Sequence, residues 1–412
     1  MSKIDVRVWQ FLVLCASDGI DARLVGGAVR DVLFYKKTTK NARENRGSKS
    51  NGRNGGNDVL GKLDFDVAVD GSPDEMICFC KKHHIAFFPT GIDHGTLTVR
   101  FKKLTLELTS LRADIETDGR HATVVFGKSF EEDAKRRDFT FNALYVDHLG
   151  NIYDYFDGVN DLKKGIMRFI GDAHLRICED YLRLYRYFRF WGQFGRGAVD
   201  LSVLPSLNEI KNQLSILSIE RVQREFFKVL EQSWPWRIIE SMRGYGLLNA
   251  LFESDINFEK NVTLFRKLVI YEHACGLAPC VMRRLAALMN GKDVQAPFKL
   301  SRINQQKLTF LIQQHHINDV AFLKPEFYVD AALLALPHSK ESVFQNIKQS
   351  KRLKPLPEFP LTGADVVTCG VPEGKEIGMI LKKIKKLWIE SNFVWDRDHA
   401  LNVLLSFIRP TA

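Results

Sequence analysis

Chemistry in this chain starts from two aspartates one residue apart, in the segment Leu-Asp-Phe-Asp-Val-Ala-Val-Asp at positions 63–70. Phe65, Val67 and Val69 alternate with polar neighbours at the period of a strand, so Asp64 and Asp66 share one face while the apolar set turns to a core. Two hard oxygen ligands side by side suit a divalent cation that bridges protein to nucleotide phosphates. Mg²⁺ in such sites takes one or two carboxylates and completes its shell with phosphate oxygens and water. Taken alone, the pair fits a solvated strand edge equally well. Downstream, Leu104, Leu106 and Leu108 alternate with Thr105, Glu107 and Thr109. Glu107 is therefore either a third carboxylate for the same cluster or an ordinary surface glutamate. Upstream, Leu-Val-Gly-Gly-Ala-Val-Arg-Asp at 24–31 sets a Gly-Gly turn between a strand predicted over Ala22–Val25 and a helix opening at Ala28. Glycine there lets the backbone approach a phosphate, and the helix start offers N–H groups and a favourable dipole.

These residues need a sheet to hold them. Residues 64–69, 95–101 and 103–110 read as strands, and the apolar spacing from Ile4 to about Ala16 reads as a helix. Residues 36–62 are poor in apolar side chains and rich in Asn, Gly, Lys and Arg, the composition of a disordered loop insertion. After about Asp157 the helical period persists to the end, which predicts an α/β head followed by an all-α remainder. The net charge of +10 favours a polyanionic partner. Seven scattered cysteines suit a reduced, cytoplasmic protein better than a disulfide scaffold. Cys78 and Cys80, with His83 and His84 nearby, fall on a helix predicted after Pro73. There the two thiols point to different faces, which argues against zinc. No apolar run is long enough for a bilayer, and the first residues lack a secretory signal.

Five segments in order resemble the motif set of class II tRNA nucleotidyltransferases, a group of CCA-adding enzymes and bacterial poly(A) polymerases. They are Gly26–Asp31, Asp64–Asp66, Arg136–Leu144, Glu179–Arg183 and Glu220–Glu225. The resemblance implies an α+β fold: a polymerase-β-like head with a mixed sheet at 1–156, a helical neck at 157–250, and a helical body and tail at 251–412. It implies that Asp64 and Asp66 bind the catalytic Mg²⁺ ions. An RNA 3′-hydroxyl then attacks the α-phosphate of a nucleoside triphosphate, and pyrophosphate leaves. Gly27, Arg30, Arg112, Arg137, Asp138 and Asn142 match positions around the sugar and triphosphate, where guanidinium groups hold phosphate and Asp or Asn bonds a ribose hydroxyl.

Asp180 and Arg183, read on one helix, share a side, with Arg186 and Arg189 continuing near it and Tyr181, Leu184, Tyr185 and Phe188 facing the core. A carboxylate accepts from the exocyclic amino group of cytosine or adenine while a guanidinium donates to the ring nitrogen. Uracil and guanine present a carbonyl instead, a mismatch of about 1–3 kcal/mol. The plain alternative is an ion pair on a helix surface. By the same resemblance Arg221, Arg224 and Glu225, on a helix predicted to begin after Ser218, brace the pocket.

Within the family, Gly91–Thr98 resembles the CCA-adding pattern, and the Arg-Arg-Phe run of poly(A) polymerases is absent. The loop from Arg112 to Gly127 resembles the mobile loop that switches C to A addition. No His-Asp pair follows the segment at 283–293, so no phosphohydrolase activity is expected. The expected partners are tRNA, CTP and ATP, with no membrane and no protein partner implied. Poly(A) addition, or an inert RNA-binding protein of the same fold, remain as alternatives. In the tail, Ile377, Ile380, Leu381, Ile384, Leu387 and Trp388 form an apolar arc. Lys382, Lys383, Lys385 and Lys386 oppose it, as an RNA-backbone contact or simply a solubilising face.

Overall fold

The computed structural model describes residues 4–34, 65–89, 91–92, 95–117, 122–126, 129–214, 216–252, 258–289, 298–313, 328–335, 357–391 and 393–408. Asp64, the insertion at 36–62 and the Asp118–His121 segment of the expected mobile loop lie outside these residues. The chain divides into two compact units, Met1–Leu217 and Ser218–Ala412.

In the first unit, helix α1 (Val6–Ser17) is capped by Asp5, whose side chain accepts from the Arg7 N–H, and buries Val8, Phe11, Leu12 and Cys15. That i, i+3, i+4, i+7 stripe is what a helix on a sheet must bury. Strand β1 (Ala22–Val25) turns at Gly26 into helix α2 at 27–34. Strand β2 (Asp66–Val69) leads to α3 (Pro73–Lys82), started by a Ser72–Glu75 capping box with Pro73 in its first turn. Cys78 of α3 is exposed and Cys80 buried. Next come β3 (Ala86–Phe88), β4 (Thr96–Phe101), β5 (Leu104–Ser110), β6 (Arg112–Thr117), β7 (Ala122–Phe126), α4 (Phe130–Lys135), β8 (Leu144–Val146) and β9 (Ile152–Asp154). Among the described residues seven strands form one sheet in the order β3-β4-β5-β2-β1-β8-β9, and β6 pairs with β7 alone. The sheet is mixed: β2 and β5 run parallel, whereas β1 is antiparallel to both β2 and β8.

Alternation assigns the two faces. Leu24, Val67, Val69, Leu97, Val99, Leu106 and Leu108 pack with α1 and α3 into one core. Val25, Ala68 and Tyr145 join Phe130, Ala134 and Ile170 in a smaller core on the other face. Asp66, two residues before Ala68, belongs to this second face.

The unit continues with α5 (Gly158–Lys164), α6 (Ala173–Glu179), α7 (Leu182–Phe194) and α8 (Leu207–Leu214). Aromatic rings join α7 to the segment before β8: Phe139 meets Phe190 at 5.5 Å and Phe141 meets Phe194 at 5.8 Å. Beneath the 3₁₀ turn Thr140–Asn142 lies Gly158, where an added Cβ would fall 2.2 Å from the Thr140 carbonyl oxygen and 2.9 Å from the Phe141 nitrogen.

The second unit is helical in all its described elements. Helix α9 (Ile219–Leu230) begins at Ser218, whose side chain accepts from the Arg221 N–H. After it come α10 (Trp236–Tyr245), α11 (Phe258–Ala274), α12 (Val281–Met289), α13 (Arg302–Ile312) and α14 (Tyr328–Ala335). The tail holds α15 (Gly363–Thr368), α16 (Lys375–Glu390) and α17 (Arg397–Ile408). On α16, Ile384, Trp388 and Ile389 are buried, while Lys382, Lys383 and Lys386 are exposed and Lys385 half-buried. Among the described residues no helix is long and apolar enough to cross a membrane.

Gly158→Ala must push the backbone of the Thr140–Asn142 turn, because the obstructing atoms are main-chain. Overpacking of this kind costs about 1–3 kcal/mol. Urea unfolding should show that loss; wild-type stability would mean that α5 does not press on the turn.

Candidate active site

Register brings the carboxylates together. Asp66 opens β2 opposite Val25 of β1 and, on its other side, opposite Glu107 of β5. In a parallel pair, residues in register project to the same face, so Glu107 stands beside Asp66 with its side chain exposed. Gly26 closes the other flank in the left-handed region, at φ +73°. A Cβ there would lie 3.7 Å from the Arg137 guanidinium, 3.8 Å from the Asn142 carbonyl and 3.9 Å from the Asp66 carboxylate. Gly26, Asp66, Arg137 and Asn142 therefore converge, at the start of α2. Gly27 opens that helix, with the Arg30 guanidinium 3.6 Å from where its Cβ would be.

A polar chain ties these groups to the helices behind them. Arg30 Nη1 donates to Asn142 Oδ1 at 2.6 Å, and its Nε donates to Asp31 at 2.8 Å. Asn142 Nδ2 donates to Asp138 Oδ1 at 2.9 Å, and Arg186 Nε of α7 donates to Asp138 Oδ2 at 2.6 Å. Burial alone would raise the Asp138 carboxyl. The Arg186 guanidinium, helped by the Asn142 amide and the Phe139 N–H, holds it below its ordinary value.

Arg137 is placed by two residues that the sequence analysis passed over. Its Nε donates to Asp133 and to the Tyr145 hydroxyl, each at 3.1 Å, and the Tyr145 hydroxyl donates to Asp133 at 2.7 Å. Burial opposes the charge on Arg137, yet Asp133 and Tyr145 raise its pKa. Burial likewise works against the Asp133 carboxylate, which Arg137 and Arg136 hold below its ordinary value. The signal for Asp133 was present in the sequence, because an acid three and four residues before two arginines shares their helix face.

The expected single helix through Asp180 and Arg183 is corrected by the structure. Helix α6 stops at Glu179, Asp180 is extended at φ −152° and ψ 102°, and α7 starts at Leu182. Asp180 Oδ1 accepts from the Leu182 N–H at 3.2 Å, and the Arg183 N–H bonds the Asp180 carbonyl at 2.9 Å. The Arg183 guanidinium instead donates to Glu179 and to the Arg176 carbonyl, both at 2.6 Å. Arg176 in turn reaches the carbonyls of Arg136 and Arg137, at 2.5 and 2.9 Å. Tyr181, expected in the core, is half-buried, whereas Leu184, Tyr185 and Phe188 are buried as expected. Arg189 is buried, its guanidinium 3.9 Å over the Phe190 ring. Arg112 opens β6 opposite Phe126. Arg221 and Arg224 are exposed and Glu225 buried on α9, which belongs to the second unit.

A mixed sheet thus sets an acidic strand start beside a Gly-Gly helix entry and the Arg30 and Arg137 guanidinium groups. Residues 22–168 match the poly A polymerase head domain, and residues 199–256 match the domain described as a probable RNA and SrmB-binding site of polymerase A. The mitochondrial CCA tRNA nucleotidyltransferase 1 of Danio rerio is 30% identical over 93% of this chain and 87% of its own. The Homo sapiens protein of the same name is 30% identical over 97% of this chain and 88% of its own. The Bacillus stearothermophilus CCA-adding enzyme, solved in complex with CTP, superposes with a TM-score of 0.61 at 21% identity, covering 98% of this chain and 97% of its own. The chain belongs to the CCA tRNA nucleotidyltransferase family.

Because folding lowers the Asp138 pKa, the stability this group contributes is present above its ordinary value of 3.8 and is lost as pH falls through its folded value. The stability gap between wild type and Asp138→Asn, read by urea unfolding, should be full at about pH 7 and shrink toward about pH 3. A gap that does not change with pH would contradict the assignment.

Proposed function

We propose that this chain adds C, C and A, from CTP and ATP, to the 3′ end of tRNA without a nucleic-acid template, using Mg²⁺ held by Asp64 and Asp66. The observation that carries the reading is Asp66 in register with Glu107 and flanked by Gly26, in a chain 30% identical over 93% of its length to an enzyme of that name. Hard carboxylate oxygens fit Mg²⁺. Mg²⁺ takes one or two carboxylates and draws its remaining ligands from a triphosphate and water. Bound there, the ions lower the pKa of the attacking hydroxyl and neutralise charge on the leaving oxygens.

The chain's own residues would do the rest. Gly26 and Gly27 let the triphosphate approach the start of α2, where Arg30 and Arg137 face phosphate, and Arg112, at the start of β6, is a further phosphate ligand in this reading. Asp138 and Asn142, braced by Arg186, meet the ribose. Glu107 completes the carboxylate cluster. Asp180 accepts the amino group of cytosine or adenine and Arg183 donates to the ring nitrogen, for which Arg183 must exchange its bond to Glu179 for the base. Arg189 supports this pocket, and the α16 lysines meet RNA phosphates. In this reading the head at 1–156 catalyses, the neck at 157–250 selects the base, and the body and tail at 251–412 hold tRNA. The seven free cysteines suit a reducing compartment, and the cytoplasm is the one proposed.

The test is incubation with tRNA lacking CCA, Mg²⁺ and each labelled triphosphate, singly and together. The reading requires C from CTP alone and a terminal A only when CTP is also present; long A tails would identify a poly(A) polymerase instead. Asp180→Ala should raise incorporation of U and G relative to C by about 5- to 150-fold, the equivalent of a buried mismatch of about 1–3 kcal/mol. Undiminished discrimination would remove Asp180 from base selection.

A further inference from the structure

The loop between α9 and α10 carries Trp234, which is 50% exposed, an uncommon state for so large an apolar ring. The loop is held from beneath. Arg284, with 0% of its surface exposed, pairs with Glu272 at 2.7 Å and donates to the carbonyls of Leu230 and Gln232. Next to Glu272 on α11, His273 Nε2 donates to the Ser233 carbonyl at 2.8 Å. The same imidazole lies flat on Trp234, with centroids 3.8 Å apart and planes at 11°. Trp236 meets Trp234 edge-on at 4.9 Å. Seven residues before His273 on α11, Arg266 sets its guanidinium 5.7 Å over the Trp236 ring. Arg266 and the neighbouring Lys267 are exposed.

We infer that this ledge, Trp234 and Trp236 backed by His273 and flanked by Arg266 and Lys267, stacks an unpaired nucleobase of RNA. The inference rests on the reading that the chain acts on tRNA. A π-face on a loop tied down by hydrogen bonds and stacked on an imidazole loses little side-chain freedom when a flat ring settles on it. Every base presents such a face, and one base–aromatic stack changes affinity by about 5- to 150-fold. The adjacent cations suit the phosphates on either side of the stacked base. Charge favours RNA over a protein anchor: the exposed Arg266 and Lys267 lie on α11 together with the exposed Ile270, in a chain of net charge +10.

The experiment is filter binding of tRNA lacking CCA to the full chain and its variants across a salt series, alongside nucleotide addition. Trp234→Ala should weaken binding at least about fivefold with the salt slope unchanged, because no phosphate contact is lost. Trp234→Phe should keep most of the affinity. Arg266→Ala with Lys267→Ala should make the slope of log K against log salt shallower by about 1.5. The KM for CTP, and turnover at saturating tRNA, should stay as in wild type for all of them. Wild-type tRNA affinity in a folded Trp234→Ala variant would overturn the ledge, as would a fall in its salt slope. Binding is read without turnover, so Trp234-dependent affinity in a chain that adds no nucleotide would sink the activity and leave the ledge standing.

Discussion

The pairing register of three strands governs the head. With β2 antiparallel to β1 and parallel to β5, Asp66 falls between Val25 and Glu107. A slip of one residue would turn Asp66 into the core that holds Val67 and Val69, and would send those valines to the face that carries Asp66 and Glu107. Burial of Val67 and Val69 on one side and Ala68 on the other forbids that slip. The hydrophobic effect, acting on residues with no chemistry of their own, thereby fixes where the carboxylate stands.

Around that edge the protein buries charge in pairs. Asp138 with Arg186, and Asp133 with Arg136 and Arg137, are carboxylates removed from water yet bonded to guanidinium groups and neutral donors. Such pairs contribute little net stability, but removing one partner leaves the other costly. Their use is positional. The chain from Arg30 through Asn142 and Asp138 to Arg186 links α2, the 3₁₀ turn and α7, so α7 cannot shift without disturbing the turn. The Gly158 backbone contact under the same turn fixes it from below.

Much of this was legible in the sequence because it is local. Alternation located β4 and β5, Pro73 and Ser218 marked helix starts, and the Gly-Gly pair marked the entry to α2. The break at Asp180 was not legible. Glu179, Asp180 and Tyr181 include no glycine or proline, and the apolar spacing of Leu184, Tyr185 and Phe188 extends smoothly backwards. Long-range bonds from Arg176 to the carbonyls of Arg136 and Arg137 accompany the break, together with local bonds from Arg183 to Glu179 and the Arg176 carbonyl. Partners 39 and 40 residues away leave no periodic trace. Arg284 escaped for the same reason, since a charged residue fully buried within an apolar helix reads from sequence as a surface position.

In the proposed function, Asp66, with Asp64, holds the divalent cation beside the triphosphate. The most direct measurement is the single-turnover rate of C addition to tRNA lacking CCA, at saturating CTP and Mg²⁺, for wild type and Asp66→Ala, with circular dichroism showing both folded. The rate should fall at least about a hundredfold, because metal stabilisation of the transition state is worth several kcal/mol. An unchanged rate in the folded variant would contradict the account.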